Sequence, residues 1–468
     1  MSKKLELHDS RLGTTDAKGA RVAPQPEDVK GKWASRRKIF YSILIAIYLV
    51  LPWIYVNGKQ WVLLDIPGRE FTFFGSIFYA HDGIFLIFLF LGFGFLIAFV
   101  TSVWGRVWCG WACPQTVFID QVYRKIERWI EGNSRRRKAL NKQHWNFEKI
   151  WKKGAKWALF LLVSLHIVHS FLGYFVGTRE LLEISFQSPA NNWVLFVTML
   201  VLTGIVLFDF GWFREQFCVI ACPYGRFQSV MMDENSTVVA YDEKRGEPRR
   251  NKAVSKDKEG DCIDCFKCVK VCPTGIDIRR GTQMECIACT MCIDACDEIM
   301  EKVGYEKGLI RYASENELNG KKKRIGVKSF ILLGLFLAVV GAMIASLSKR
   351  DDLSAQFLRM PGEPYQKIIG ADGFTLLNRF EAKIDTLNKK DKRIEFRLPD
   401  NVKDTVKLVS GELPKVIESD KETVSFFLKY KPKILTRGSF KFLIFIEVYE
   451  NEELVETKKE EVKLVGPL

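Results

Sequence analysis

The chain has 468 residues, of which 48% are hydrophobic and 27% are charged, and its net charge is +15. So basic a chain could bind nucleic acid, but its Lys and Arg residues cluster beside long apolar runs and are not interleaved with exposed aromatic residues, which excludes that partner. The runs are about 18–23 residues long, enough to cross a hydrocarbon core of ~30 Å at ~1.5 Å per residue. The sequence therefore predicts an integral membrane protein with membrane lipid as a partner.

The apolar runs predict a bundle of five transmembrane α-helices. The predicted spans are residues 39–56, 84–103, 157–177, 193–213 and 329–347. The first four make up a predicted domain over 39–213. Residues 1–38 are polar, and we predict a disordered cytoplasmic tail there. Because the first apolar run begins late and no small-residue cleavage site follows it, we expect no signal peptide.

The distribution of Lys and Arg predicts the orientation of this bundle. The tail, the 104–156 loop and the 214–328 segment are rich in basic residues, whereas the 58–83 and 178–192 loops hold few. Basic residues mark the cytoplasmic loops of membrane proteins. We therefore expect a multi-pass protein of the bacterial inner (cytoplasmic) membrane, with its N-terminus in the cytoplasm and residues 350–468 in the periplasm.

The last predicted domain, residues 350–468, has an apolar period of two. Ile394, Phe396 and Leu398 alternate with charged residues, and the same alternation runs from Phe440 to Val448, with Gly and Pro turns between the segments. This pattern predicts an all-β sandwich. Because the domain contains no cysteine and no cluster of His or Met, we expect an apolar core rather than disulfides to stabilise it, and no metal site.

Eight of the twelve cysteines lie in one stretch of 35 residues inside the 214–328 segment. They form the spacing C-x2-C-x2-C-x3-C twice, and in two-cluster ferredoxins the fourth cysteine of each run ligates the other cluster. We therefore predict a ferredoxin-like segment in which cluster one is held by Cys262, Cys265, Cys268 and Cys296, and cluster two by Cys286, Cys289, Cys292 and Cys272. Two zinc sites are the alternative, although zinc leaves the third and fourth cysteines without a natural tetrahedral grouping. Asp297 stands where Pro273 follows the first run, a departure that removes no ligand.

The other four cysteines form two C-x3-C-P pairs, Cys109 with Cys113 and Cys218 with Cys222, each just past the inner end of a predicted span. Residues 39–116 and 157–226 both read as helix, outward loop, helix and C-x3-C-P, which predicts two related halves. If a helix continues through each pair, both of its sulfurs lie on one face. Four soft thiolates suit Cu(I) or a redox dithiol, and the alternative is that these small side chains only pack at helix ends.

His166 and His169 lie in the middle of the third predicted span. Their i, i+3 spacing places them on one face of the helix, and ionisable residues at that depth are commonly functional. They are weak candidates for a transient metal site or a quinone contact, and the alternative is a hydrogen bond between helices. Asp209, near the inner end of the fourth span, is interpreted as reaching the interface.

The ordered set of these features resembles the cbb3-type cytochrome c oxidase accessory proteins, the CcoG, RdxA and FixG family of polyferredoxin-like membrane proteins. The resemblance covers nearly the whole chain after the first 35 residues. It includes DIPGREF at 65–71, RVWCGWACPQT at 106–116, CPYGRFQSVMM at 222–232, CIACTMCIDACDEIM at 286–300 and NRFEAKI at 378–384. Asp297 agrees with this family.

The resemblance implies a cytoplasmic-side Cu(II) reductase that supplies Cu(I) for assembly of the haem-copper oxidase. Its partners would be copper-handling and cbb3 oxidase assembly proteins, its copper or redox thiols Cys109, Cys113, Cys218 and Cys222, and its last domain an immunoglobulin-like sandwich. Since no nicotinamide or flavin fingerprint is present, electrons must arrive from another protein or from quinol.

Two alternatives stay open at this point. One is a quinol-linked subunit of a periplasmic nitrate or nitrous-oxide reductase system, although the β domain and fifth span argue against it. The other is a copper-binding assembly scaffold whose clusters are structural.

Overall fold

A computed structural model describes residues 24–467 except 57, 69, 75, 80–81, 251–258, 323–324, 349–352, 361–362, 371–372, 387–391, 411–412, 417–420, 437 and 451. Residues 1–23 of the predicted tail therefore lie outside the described residues. The chain divides into two compact units, Met1–Ile344 and Ala345–Leu468.

The first unit is mainly helical. Its α-helices are α1 (Lys32–Val50), α2 (Gly83–Trp104), α3 (Val107–Trp111), α4 (Pro114–Phe118), α5 (Arg124–Glu131), α6 (Ser134–Lys142), α7 (Phe147–Val176), α8 (Thr178–Ser185), α9 (Trp193–Val206), α10 (Pro223–Met231), α11 (Glu243–Gly246), α12 (Lys267–Lys270), α13 (Met291–Val303), α14 (Glu315–Leu318) and α15 (Val327–Ser348). Wider π-helical turns occupy Ile119–Tyr123, Leu207–Phe213 and Phe217–Ala221, and short 3-10 turns occupy Leu51–Trp53, Pro189–Asn192 and Ile278–Arg280.

Four helical segments of the described residues are long and apolar enough to cross a membrane. They are Gly83–Trp104, Phe147–Val176, Pro189–Phe213 and Val327–Ser348, and each overlaps one of the predicted spans. The first predicted span, residues 39–56, is not among them. Its helix, α1, ends at Val50, because Pro52 cannot donate a helical hydrogen bond, and a 3-10 turn and a short strand follow.

The prediction of a disordered tail is wrong for residues 24–38. Helix α1 begins within this stretch, and the backbone N–H groups of Trp33 and Ala34 donate hydrogen bonds to the Asp294 carboxylate over 3.1 Å and 2.6 Å. A carboxylate at this end satisfies N–H groups that have no partner inside the helix and complements the positive end of the helix dipole. The first helix is thus tied to α13, between two cysteines of the second run.

The segment between α1 and α2, predicted only as an outward loop, forms short antiparallel strands. They are β1 (Tyr55–Val56), β2 (Lys59–Gln60), β3 (Val62–Asp65), β4 (Glu70–Phe73) and β5 (Ser76–Tyr79). β1 pairs with β2, and β4 lies between β3 and β5. The side-chain amide of Gln60 donates to the carbonyl of Gly173 over 3.0 Å, which ties the strands to the C-terminal end of α7.

The cysteine-rich segment folds around a small apolar core. β6 (Val238–Tyr241) and β7 (Ile310–Ala313) pair antiparallel, and both pack with α13 on Ile276, Ile278 and several of the cysteines. The segment is therefore held together by its own core as well as by its cysteine side chains.

The second unit consists of two antiparallel sheets. Its strands are β8 (Leu353–Arg359), β9 (Gln366–Gly370), β10 (Gly373–Thr386), β11 (Arg393–Arg397), β12 (Val406–Val409), β13 (Lys415–Val416), β14 (Lys421–Tyr430), β15 (Ser439–Glu450) and β16 (Glu453–Val465). One sheet has the order β12-β14-β10-β8, with β9 also on β10, and the other has β13-β11-β15-β16. Ile394, Phe396 and Ile446 are buried in the shared core, so the predicted alternation is confirmed.

Candidate iron-sulfur and thiol sites

The two cysteine runs fold into loops with matching backbone geometry. In the first run Asp264 and Phe266 have positive φ angles of 53° and 59°, and in the second the corresponding Ala288 and Thr290 have 52° and 63°. Residues other than glycine rarely adopt this conformation, at a cost of about 1–3 kcal/mol each, and such strain is typical of functional sites. Left-handed residues also occur in backbone nests, whose converging N–H groups hold anionic groups, including iron–sulfur clusters.

One group of thiols joins the first run to the last cysteine of the second. The Cys296 thiol lies within electrostatic range of Cys268, Cys262 and Cys265. The pKa of Cys296 and that of Cys268 are each raised to about 12, mainly by burial and in smaller part by neighbouring thiols. In this fold a cysteine of α13 therefore lies beside the first cysteine run.

The other group joins the second run to the last cysteine of the first. Burial, followed by the neighbouring Cys289 thiol, raises the pKa of Cys272 to about 11. Burial and the thiols of Cys289, Cys286 and Cys272 raise the pKa of Cys292. Cys268 acts on Cys292 as well, so the two groups adjoin.

These eight cysteines fit iron–sulfur clusters better than single ions. Each group brings cysteines of one run beside the last cysteine of the other, as two-cluster ferredoxins require. A tetrahedral zinc site needs four donors around one centre, whereas a [4Fe-4S] cube spreads its four thiolates over four irons. Because the pKa values are raised, cluster binding must displace protons from these buried thiols.

The helix does not continue through either C-x3-C-P pair, so the condition for both sulfurs of a pair to share one helix face is not met. Helix α3 ends at Trp111, and Cys113 is extended (φ −63°, ψ 124°) immediately before Pro114, the first residue of α4. The second pair repeats this design, since Cys222 is extended (φ −72°, ψ 113°) before the proline that begins α10. The matching geometry agrees with two related halves.

The four C-x3-C-P thiols nevertheless lie near one another. Burial raises the pKa of Cys109 to about 11, with further contributions from Cys113 and Cys222, while a hydrogen bond with Gln228 lowers it. Burial also raises the pKa of Cys218, and the thiols of Cys113, Cys109 and Cys222 each add to that shift. The two halves of the chain therefore bring both pairs into one mostly buried group, the thiol cluster, in which no three of these described thiols lie close enough together to hold one metal ion.

A close backbone contact joins this thiol cluster to the second cysteine loop. Gly110 lies directly after Cys109, and a Cβ built on it would be 2.5 Å from the carbonyl oxygen of Ala288 and 2.6 Å from that of Ile287. Real Cβ atoms do not approach other atoms so closely. Only glycine fits at position 110 without displacing the Cys286–Cys289 loop.

Aromatic side chains reinforce the same contact. The indole N–H of Trp111 donates to the hydroxyl of Tyr312 over 3.1 Å, and that hydroxyl donates to the carbonyl of Ala288 over 3.4 Å. Trp33 packs edge-on against both rings, with centroids 6.0 Å and 5.3 Å away. The first C-x3-C-P motif, α1 and the second cysteine loop therefore share one aromatic contact.

Two polar residues at these sites were not singled out from the sequence. Arg106 donates to the carbonyls of Met284 and Gly225, which links the second cysteine loop to α10. The side-chain amide of Gln228 lies 3.3 Å from the sulfur of Cys109. Both residues lie in the sequence stretches that carry the family resemblance, and this position could have identified them as candidate site residues.

The two histidines and Asp209, also singled out from the sequence, lie outside the two cysteine loops. His169 of α7 forms a 3.2 Å hydrogen bond with the hydroxyl of Ser185 of α8. This bond agrees with the alternative that the histidine joins two helices. His166 belongs to no metal-binding group among the described residues. Asp209 accepts a hydrogen bond from Gln115 over 2.9 Å. Burial raises the pKa of Cys113, and the Asp209 charge adds a small contribution, so Asp209 borders the thiol cluster.

Comparison with protein-family models agrees with this arrangement. A 4Fe-4S dicluster domain model matches residues 213–315, which contain all eight cysteines of the two loops. A 4Fe-4S binding domain model matches twice, at residues 85–137 and 191–233. Each of those matches contains one C-x3-C-P pair, which supports the internal repeat.

Protein RdxA of Cereibacter sphaeroides is 36% identical over 390 residues, a match that covers 80% of this chain and 81% of the relative. The chain belongs to the RdxA and FixG family. Protein RdxB of the same organism is 39% identical over 72% of this chain and 74% of its own length. The nitrogen fixation protein FixG of Rhizobium meliloti is 39% identical over 62% of this chain and 56% of the relative. This member of the RdxA and FixG family is thus an iron–sulfur electron-transfer protein with membrane-spanning helices.

Proposed function

We propose that this chain reduces Cu(II) to Cu(I) for assembly of the copper centre of cbb3-type cytochrome c oxidase. One observation carries the proposal: the four C-x3-C-P thiols form a single cluster that Gly110 brings into backbone contact with the second cysteine loop. Soft thiolates prefer Cu(I) over harder ions, so this cluster favours the reduced product. The family resemblance supports the link to the oxidase.

The cysteine loops would hold the electron source. Cluster one would be bound by Cys262, Cys265, Cys268 and Cys296, and cluster two by Cys286, Cys289, Cys292 and Cys272. Such clusters supply one electron at a time, and Cu(II) needs one electron to become Cu(I). The electron would enter the chain from a donor protein or from quinol.

Binding of copper would depend on protons. The pKa values of Cys109, Cys113 and Cys218 are raised by burial, so these thiols are protonated near neutral pH. Copper binding to the thiolates therefore releases protons, and we propose that affinity increases as pH rises toward these pKa values.

Iron analysis tests the cluster assignment. We expect anaerobically purified protein to contain about eight irons and eight sulfides, the content of two cubes. Cys265→Ala should remove the spectroscopic signal of one cluster and leave the other. Stoichiometric zinc without iron would contradict the assignment.

A deletion strain tests the function itself. We expect loss of cbb3 oxidase activity at low copper and its recovery when copper is added, because excess copper bypasses a supply defect. Normal oxidase with lost nitrate or nitrous-oxide reduction would instead support the quinol-linked alternative. Rescue by a variant that lacks both clusters would support a non-redox copper scaffold.

The proposed topology places five spans in the bacterial inner membrane, with α1 as the first. Reporter fusions at about residues 140 and 280 should be cytoplasmic, and those at about residues 185 and 400 periplasmic, because short basic loops stay inside. A periplasmic result at residue 280 would contradict this orientation. The family resemblance and the two-sheet core support an immunoglobulin-like fold for the periplasmic domain.

A further inference from the structure

A basic cavity of about 420 Å³ lies between the N-terminal segment and the helix after the first C-x3-C-P motif. Its volume falls in the range of small-molecule sites, ~300–1,000 Å³. Seven of the side chains that line it are basic and three are acidic. None of the proposed cluster or copper ligands lines it.

The acidic side chains of this cavity are already engaged. Asp120 pairs with two cavity arginines at 2.8 Å and 3.2 Å, Asp28 pairs with Arg128 at 3.0 Å, and Glu27 pairs with Lys267 at 2.9 Å. Among the residues that the structure describes, three lysines of the cavity form no ion pair: Lys30, Lys38 and Lys125. Burial lowers the pKa of Lys125, and the charges of Lys38 and Arg128 lower it further. The cavity therefore has an uncompensated positive charge.

The wall of the cavity borders an exposed apolar stretch of α1. Lys38 is followed on α1 by Ile39 and Ile43, which are 63% and 51% exposed. Gln121, another residue of the cavity wall, donates to the hydroxyl of Ser42 over 2.8 Å. A phosphate in the cavity would thus lie beside a surface suited to acyl chains.

We propose that this cavity binds the phosphate group of an anionic phospholipid, whose acyl chains lie along the exposed apolar face of α1. Clustered Lys and Arg at the inner end of a membrane helix attract anionic headgroups, and arginine forms paired hydrogen bonds with phosphate. The inference depends on α1 entering the membrane but not on copper reduction, so either proposal can fail alone.

The site also adjoins the second cysteine loop. Arg37 lines the cavity, pairs with Asp120 and donates to the backbone carbonyl of Cys289. A lipid phosphate in the cavity would hold Arg37 between two anionic partners. Bound lipid would in this way support the loop without contacting any of its cysteines.

The test uses the full-length, cluster-loaded protein in detergent, titrated with phosphatidylglycerol and followed by native mass spectrometry. We expect Lys38→Gln with Lys125→Gln to weaken binding about 30-fold, from the loss of two lysine–phosphate attractions. The matched control is Lys142→Gln with Lys152→Gln, which removes the same charge outside the cavity. That control should bind as the wild type does.

Two further ligands, phosphatidylcholine and soluble glycerol phosphate, distinguish binding of an anionic lipid from binding of a phosphate group alone. We expect phosphatidylcholine to bind weakly and glycerol phosphate not to compete with phosphatidylglycerol at equal concentration. Equal weakening by both lysine pairs, or full competition by glycerol phosphate, would overturn the proposal. If the Lys38 and Lys125 double variant does not fold, the two single variants provide the same comparison.

Discussion

Replacing either C-x3-C-P pair with serine should abolish Cu(II) reduction. The expectation follows from the neighbouring C-x3-C-P thiols that raise the pKa values of Cys109 and Cys218, which indicate that the two pairs lie near each other. Residues that act as a unit lose most of their activity when any part is removed, so the losses should not add. The measurement is copper reduction by dithionite-reduced protein, followed with a Cu(I)-specific chelator, in both double variants and the quadruple variant.

Iron content is the internal control for these variants. Because the eight cysteines of the two loops are separate residues, each serine variant should retain about eight irons. Retention of about half the wild-type rate by each double variant would mean two independent sites. About twelve irons in the wild type, with about four lost from each variant, would mean that the four thiols hold a further cluster rather than copper.

The patterns that the sequence predicted correctly are local ones. The apolar runs of α2, α7, α9 and α15 are contiguous, and the alternation around Ile394 lies within one strand. The assignment of Cys296 to the first cysteine run is not local and stays a prediction, which follows from a ligand rule that spacing alone supports. The nearby thiols of Cys268 and Cys262 agree with it.

The errors have identifiable physical causes. The condition of a continuous helix through Cys113 and Cys222 is not met, because each precedes a proline and that position disfavours helical geometry. The signal was therefore present in the sequence. The sequence carried no signal for the ordered position of residues 24–38. Asp294, which binds the first turn of α1, lies about 260 positions away in the chain. No local pattern predicts such a partner.

The contact of Gly110 with the second cysteine loop joins residues that are far apart in the chain, so no local sequence pattern predicts it. We expect Gly110→Ala to slow Cu(II) reduction by about tenfold or more while the protein still binds copper. The added methyl group would meet the carbonyl oxygens of Ala288 and Ile287, so the loop and α3 must separate. Small displacements between reacting partners can reduce rates by up to ~100-fold.

Gly154→Ala is the matched control for this variant. Gly154 lies in α7 with open space at its Cβ position, so the same substitution should leave the rate unchanged. The measurements are single-turnover reduction of Cu(II) by pre-reduced protein, the iron content, and the electron paramagnetic resonance spectrum of the reduced protein. In Gly110→Ala the iron content should hold while the spectrum assigned to cluster two changes, because its loop carries the displaced carbonyls. A wild-type rate in Gly110→Ala with an altered spectrum would contradict a role for this contact in electron delivery, since the loop would have moved without consequence for copper.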